Sequence, residues 1–373
     1  MIFRFISATI LPMKYKYFLK RLALIPLTLF GIIALNFAIV QMAPGGPVEQ
    51  MMMKIDGTAV SATARVGGGS GDMATAGNDS LYRGGKGLRE ELRQELEKRF
   101  GFDKPAWERF GLMIKNYLKF DFGTSFYQDK TVIALILEKL PVSISLGVFS
   151  TLLIYLIAIP LGIKKAVGHN SSFDRWSSFA LTISYAIPAF LLAIFLIIVF
   201  AGGRYLQWFP LRGLVSDNWD ELTWFGKITD YLHHLILPVF AFSIGGIASL
   251  TFLTKNSFLD ELGKAYCRTA KAKGLSQKRI LYGHVFQNAM LIVIAGFPTL
   301  LISMLFTGSV LIEVIFSLDG LGLLGFEAVQ NRDYPVIFGT LYLFALMGLL
   351  LNLISDFVYT IVDPRIHFGK RLQ

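Results

Sequence analysis

Residues 268–274 read RTAKAKG: three basic side chains, three small or hydroxylated ones, and a closing glycine. The chain is apolar on both sides, up to about Thr254 and again from about Val285. A short basic segment between two membrane-length apolar runs is a loop held at a membrane surface. A chain built from such alternations is an all-α, polytopic membrane protein.

The composition agrees. Of 373 residues, 54% are hydrophobic and 17% charged, whereas a soluble domain carries roughly a quarter charged residues. A net charge of +10 could suit nucleic acid. The basic residues, however, stand beside apolar runs instead of forming a solvated patch, which is the pattern that sets membrane orientation. The single cysteine, Cys267, excludes an intrachain disulfide and a thiolate zinc site.

Six stretches reach the roughly 20 residues that a spanning helix needs: 18–43, 141–163, 176–202, 233–254, 285–312 and 336–361. Residues 1–17 form a basic N-terminus, 44–140 a large segment between the first two spans, 141–361 the five-span remainder, and 362–373 a tail. Lys14, Lys16, Lys20 and Arg21 precede the first span, and Lys164, Lys165 and Arg175 flank the next short loop. The loop around RTAKAKG carries Lys255, Lys264, Arg268, Lys271, Lys273, Lys278 and Arg279. Loops 203–232 and 313–335 offset their few basic residues with acids. Both termini and the basic loops are therefore expected in the cytosol. Within 44–140, residues 56–87 are rich in Gly, Ser, Ala and Thr and read as a loop. Trp107, Phe110, Met113, Ile114, Tyr117 and Leu118 recur at helical spacing after Pro105 and predict an amphipathic helix, packed on the outer rim or docking a partner.

Catalytic patterns are missing from the sequence. It has neither a G-x-x-x-x-G-K-[ST] nor a G-x-S-x-G stretch, and His233 and His234, being adjacent, point in different directions on a helix. Polar residues inside spans are the next candidates. Ser303 and Thr307 share one face of the fifth span, and Asn352 and Asp356 share one of the sixth. Ser303, Thr307 and Asn352 each either bond a neighbouring helix or line a polar path, while Asp356 is expected to reach the cytosolic headgroups in a packing or capping role. Around the opening segment, a helix is predicted from near Asp260 to Gly274, over 260–275 with its cap. Gly274 suits the left-handed position that ends a helix, and Ser276 can cap the next one. Thr269, Ala270 and Ala272 would let another surface approach the backbone, while Lys271 and Lys273 would face an anionic membrane or an acidic partner.

The stretch YCRTAKAKGLSQKRILYGHVFQNA (266–289) resembles the signature loop of permease subunits of ATP-binding cassette importers, in the dipeptide/oligopeptide branch. Further stretches are similar in the same order: FLKRLALIPLTLFGIIALNFAIVQMAPGGP, FGFDKPAWERF, FDFGTSF, LPVSISLGVFSTLLIYLIAIPLGI, GSVLIEVIFSLDGLGLLGFEAVQNRDYP and DPRIHF. The resemblance implies a type I importer permease fold in the bacterial inner membrane. It makes the basic segment a coupling helix that seats in an ATPase subunit through Arg268, Thr269, Ala270, Lys271, Gly274 and Leu275. It makes loop 313–335 a short re-entrant gate helix, with Asp319 as its cap and glycines at Gly320, Gly322 and Gly325. A translocation path through Ser303, Thr307 and Asn352 is expected. The implied partners are a second permease, cytosolic ATPase subunits that hold ATP and Mg, and a periplasmic peptide-binding protein; this chain would hold no cofactor and hydrolyse nothing. Two competing classes remain. An ion-driven carrier calls for inverted repeats and a charged midplane residue, and a membrane enzyme calls for a nucleophile or metal set.

Overall fold

A computed structural model describes residue 19 and residues 21–39, 104–203, 205–306 and 310–362. The Gly-rich stretch 56–87, Thr307 and the tail beyond 362 lie outside the described residues. The described chain is a succession of helices: α1 (Arg21–Ile39), α2 (Ala106–Leu118), α3 (Val132–Val167), α4 (Ser172–Ala186), α5 (Ala189–Phe200), α6 (Trp224–Leu262) and α7 (Ala265–Ala272). Next comes α8, which runs from Gln277–Ile280 through a π-helical turn at Leu281–Val285 into Phe286–Phe306. The last three are α9 (Val310–Ile315), α10 (Leu321–Asn331) and α11 (Tyr334–Val362).

Five helices are long and apolar enough to cross a membrane, and α4 with α5 make a sixth span if the bent pair counts as one. The stretch expected as the third span is broken: α4 and α5 meet at 97°. The cause is Pro188. Its ring pushes Ile187 out of the helical region, to φ −78° and ψ 120°, and α5 restarts behind it. Pro141 and Pro160 in α3, Pro238 in α6 and Pro298 in α8 interrupt nothing of that size.

The chain divides into two compact units. The first comprises residues 1–21, 139–323 and 348–373. One of its cores gathers Ile154, Ala158, Ile163 and Ala166 of α3, Leu250 and Phe258 of α6, Cys267 and Ala270 of α7, and Val285, Ala289 and Val293 of α8. A second joins Leu146, Ala193, Leu196, Leu235, Ala241, Ile312, Phe316 and Leu318. Small residues let helices approach: a Cβ on Gly162 of α3 would lie 2.6 Å from the Thr254 Cβ of α6.

The second unit comprises residues 22–138 and 324–347. The expected amphipathic helix forms there as α2. Its Phe110 ring packs 5.9 Å from Phe30 and 5.2 Å from Phe37 of α1, and Tyr117 meets Phe122 and Tyr342 edge-on. Trp107 and Leu118 instead face outward. The turn before α3 is pinned by Asp333, which accepts from the Ser125 hydroxyl at 2.5 Å and the Phe126 N–H at 3.2 Å.

Candidate functional site

The basic loop resolves into a helix shorter than expected. α6 runs on through Asp260 and Glu261 to Leu262, and Gly263 ends it, so α7 begins at Ala265 and has 8 residues. Its end is a Schellman motif. Gly274 adopts φ +76°, its N–H reaches the Lys271 carbonyl at 3.0 Å, and the Leu275 N–H reaches the Ala270 carbonyl at 3.2 Å. Ser276 holds the N-cap position of α8 with an extended backbone, but its side chain makes no capping bond.

This register gives α7 two faces. Cys267 and Ala270 turn into the first core, whereas Arg268, Thr269, Lys271, Ala272, Lys273 and Gly274 are exposed. The Thr269 hydroxyl is returned to the Ala265 carbonyl at 3.1 Å, leaving its methyl outward-lying and short. The exposed face is thus basic, low in profile and held on a fixed backbone.

Beneath it lies a junction that the sequence does not single out. The Tyr266 hydroxyl donates to Glu261 Oε2 at 2.7 Å, and Lys264 pairs with Glu261 Oε1. The Cys267 thiol adds a weak bond to the Glu261 carbonyl at 3.3 Å. Burial, with Glu261 beside it, pushes the Tyr266 phenol up, so it stays a neutral donor.

A buried ionic cluster stands at the same end of the spans. Lys165 of α3 is fully buried; its ammonium lies 3.1 Å from the Asp174 carboxylate and donates to the Asp174 carbonyl at 2.9 Å and the Ser177 and Ser178 hydroxyls at 2.7 Å. Lys255 of α6 reaches both Asp174 carboxylate oxygens at 2.8 Å. Asp174 also accepts the Asn170 N–H, while Ser171 caps α4 by accepting the Asp174 N–H. One carboxylate therefore joins three helices. In the sequence these lysines stand out only as loop charge.

Near the opposite, acid-balanced loop, the expected cap is replaced. Asp319 pairs with Lys139 instead of capping α10. The N-terminal N–H groups of α10 are taken by others: Leu321 donates to Ser143 Oγ at 2.8 Å, and Leu323 donates to Glu313 Oε2 at 2.7 Å, with Gly322 also on that carboxylate. Glu313 is 1% exposed and lies under two glycines, so a Cβ on Gly320 would stand 2.6 Å from its Cδ and one on Gly322 2.9 Å from its Oε1. A Cβ on Gly325 would have open space around it, with nothing within 4 Å among its described spatial neighbours. Burial pushes the Glu313 carboxyl up to about 6 and Asp319 adds to it, against the two backbone N–H groups that favour the anion.

The Ser303 hydroxyl returns to the Leu300 carbonyl at 2.8 Å, Asn352 is exposed, and Asp356 pairs with Arg21. His233 and His234 bind different carbonyls, those of Trp208 and Asp230. Among the described residues no group of three His, Cys, Asp or Glu side chains could hold a metal ion.

Residues 158–368 match the family described as binding-protein-dependent transport system inner membrane component. A peptidoglycan transport system permease protein from Agrobacterium fabrum is 56% identical over 95% of this chain and 99% of that one. An inner membrane ABC transporter permease protein from Escherichia coli O157:H7 is 58% identical over the same shares, 95% and 99%. An oligopeptide transport system permease protein from Bacillus subtilis is 34% identical over 94% of this chain and 99% of that one.

Proposed function

We propose that this chain, which belongs to the binding-protein-dependent transport system inner membrane components, carries peptides into the cytosol as one permease of an ATP-driven importer. It seats α7 on a cytosolic ATPase subunit, with both of its own termini on that side. The observation that carries this reading is α7 itself: a short helix between two spans, with a basic, low face outward, a locked face behind and a glycine-fixed end. Such an element is suited to transmit force, because a partner can grip it without unfolding it.

ATP and Mg would sit on the ATPase, and this chain would supply only the grip and the moving spans. Closure of two ATPase subunits around ATP would displace α7 and, through it, α6 and α8, biasing a two-state packing of the spans. A second permease would complete the path, and a soluble peptide-binding protein would deliver cargo to the face that carries α10. The relatives named for oligopeptide and for peptidoglycan transport suggest cargo with a peptide portion.

The test is retention of the ATPase after co-expression with the cognate subunits and purification in mild detergent. Gly274 holds φ +76°, which proline cannot adopt, and its N–H is bonded. Gly274→Pro is expected to reach the membrane like the wild type but to lose the ATPase and uptake. Retention of the ATPase with normal uptake by a well-inserted variant would overturn the assignment of α7.

A further inference from the structure

α3 has contacts of consequence at both ends. At one end its Lys165 shares Asp174 with Lys255 of α6, close to where α7 seats Cys267 and Ala270 in the common core. At the other end Lys139 pairs with Asp319, and Ser143 Oγ accepts the Leu321 N–H at 2.8 Å at the start of α10. α3 alone is not a stiff rod, because Pro141 and Pro160 stand inside it and each removes a backbone donor. What braces it is a seam with α6. The Ser243 hydroxyl donates to the Ser150 carbonyl at 3.3 Å. A Cβ on Gly246 would run into the Ile154 side chain, and one on Gly162 would stand 2.6 Å from the Thr254 Cβ and 2.9 Å from the Thr251 carbonyl oxygen. These contacts climb both helices in step, so α3 and α6 run parallel in one register. From Ser150 to Lys165 the seam is about 22 Å long at 1.5 Å per residue, most of a hydrocarbon core of roughly 30 Å. Ser150, Ile154, Thr251 and Thr254 are fully buried. The two glycines thus face Ile154, Thr251 and Thr254, all β-branched and stiff at χ1. A slip of one helix past the other would bring a side chain to the place each glycine leaves open.

We propose that Gly162 and Gly246 are positioning residues that make α3 follow α6, so that displacement of α7 at one end of the spans is carried to residues 319–321 at the other. This rests on the reading that α7 seats on an ATPase. Neither glycine touches ATP or cargo. Their part is to let the two helices lie backbone-close, so that α3, weakened by its prolines, moves with α6 as one block and takes Ser143 and Lys139 with it.

The experiment uses the whole complex in lipid nanodiscs: this chain with its cognate permease and ATPase subunits. Hydrogen exchange is compared without nucleotide and with ATP held unhydrolysed by a catalytically inactive ATPase variant. The segments read are α7 and the turn at residues 319–323. In the wild type, ATP is expected to change exchange in both. Gly162→Ala meets a Cβ and a backbone carbonyl that cannot turn aside, so the helices must part. It is expected to retain the ATPase and the ATP-dependent change in α7, while the change at 319–323 falls at least fivefold. Gly246→Ala should act in the same direction, and adding Ile154→Val, which removes the methyl that the new Cβ would strike, should restore the response to within twofold of wild type. This pair decides the matter if Gly162→Ala fails to assemble. Gly245→Ala is the control, because a Cβ there meets nothing within 4 Å; it should respond like the wild type.

A wild-type-like response at 319–323 in an assembled Gly162→Ala would overturn the proposal and leave the seating of α7 intact. So would equal losses in Gly245→Ala and Gly246→Ala, or no recovery with Ile154→Val, because the close approach would then not be what carries the movement. An α7 that does not respond to ATP in the wild type would remove the seating reading itself.

Discussion

Replacing Asp174 by asparagine keeps the side chain's shape and removes one negative charge from between Lys165 and Lys255. At an effective dielectric of 20, an ion pair about 3 Å apart gains about 5 kcal/mol before desolvation is subtracted. The Asp174 carboxylate stands 3.1 Å from Lys165 and 2.8 Å from Lys255. The side chains are 0% and 12% exposed on the lysines and 5% on the acid, so water screens little of this. Lys165 would keep the Asp174 carbonyl and two hydroxyls, and Lys255 would keep at most one amide oxygen. Breaking a buried pair from one side costs about 3–5 kcal/mol because the partner charge is left buried; the retained bonds put this variant at the lower end, about 3 kcal/mol. The chain carries its own reporter, since Cys267 is its single cysteine and is buried in the core that α3, α6 and α7 share. Thermal unfolding in detergent, followed by a thiol-reactive dye, should show a melting temperature lower by about 6–12 °C, at about 2–4 °C per kcal/mol. Asp174→Asn combined with Lys255→Met removes one stranded charge and should recover more than half of the loss. A single variant melting within about 2 °C of wild type, or a double variant melting lower still, would refute the reasoning.

Two further predictions concern the turn before α10. The Glu313 carboxyl is raised from 4.5 to about 6. A carboxyl raised on folding contributes stability that is complete below its unfolded value and is lost as pH rises through the folded one. About 2 kcal/mol should therefore disappear between about pH 4.5 and 6. Amide exchange at residues 320–323, corrected for its intrinsic rate, should show more protection at pH 5 than at pH 7, and Glu313→Gln should flatten the difference; a wild-type profile with no such window would count against it. Gly320→Ala drives a Cβ to 2.6 Å from the Glu313 Cδ, which overpacking puts at about 1–3 kcal/mol. Gly325→Ala, by contrast, should not lower the melting temperature, since alanine suits the interior of α10 better than glycine, and equal losses from the two would show that the carboxylate is not what Gly320 makes room for.

How much of this the sequence disclosed depended on the range of the interaction. Hydropathy alone placed the spans, because a lipid-facing helix must be apolar over its whole length. It also placed the amphipathic α2 and the left-handed Gly274, both local properties. The bend at Pro188 was written in AIPAF, yet Pro141, Pro160, Pro238 and Pro298 also stand in apolar runs, inside helices that continue through them, and only Pro188 sits at a 97° break. A proline is tolerated when neighbouring helices or side chains satisfy the freed carbonyl, and those neighbours come from distant parts of the chain. The same limit applies to Gly263. A continuous helical pattern runs through it, and only the folded backbone shows α6 ending there and α7 starting anew at Ala265.

The groups missed in the candidate site share one character: the sequence shows the sign of each charge or polar atom and not its partner. Lys165 and Lys255 count toward orientation, but Asp174 lies 9 residues from one and 81 from the other, and only packing brings them together. Glu313 counts as one of several acids in a loop, although it is the buried acceptor for the first turn of α10 and the reason Gly320 and Gly322 stand where they do. Asp319, close to the start of that helix, looks like the cap because capping is a local rule; the fold gives the role to a carboxylate from the helix before and turns Asp319 to Lys139. The consequence for function is specific. Most of the exposed face of α7 could be read from RTAKAKG because it is made of neighbouring residues, but Ala270, expected on that face, is buried in the first core. What backs that face, Cys267 and Ala270 packed into the core shared by α3, α6 and α8 with Tyr266 bonded to Glu261, could not, because stiffness is a property of several elements meeting.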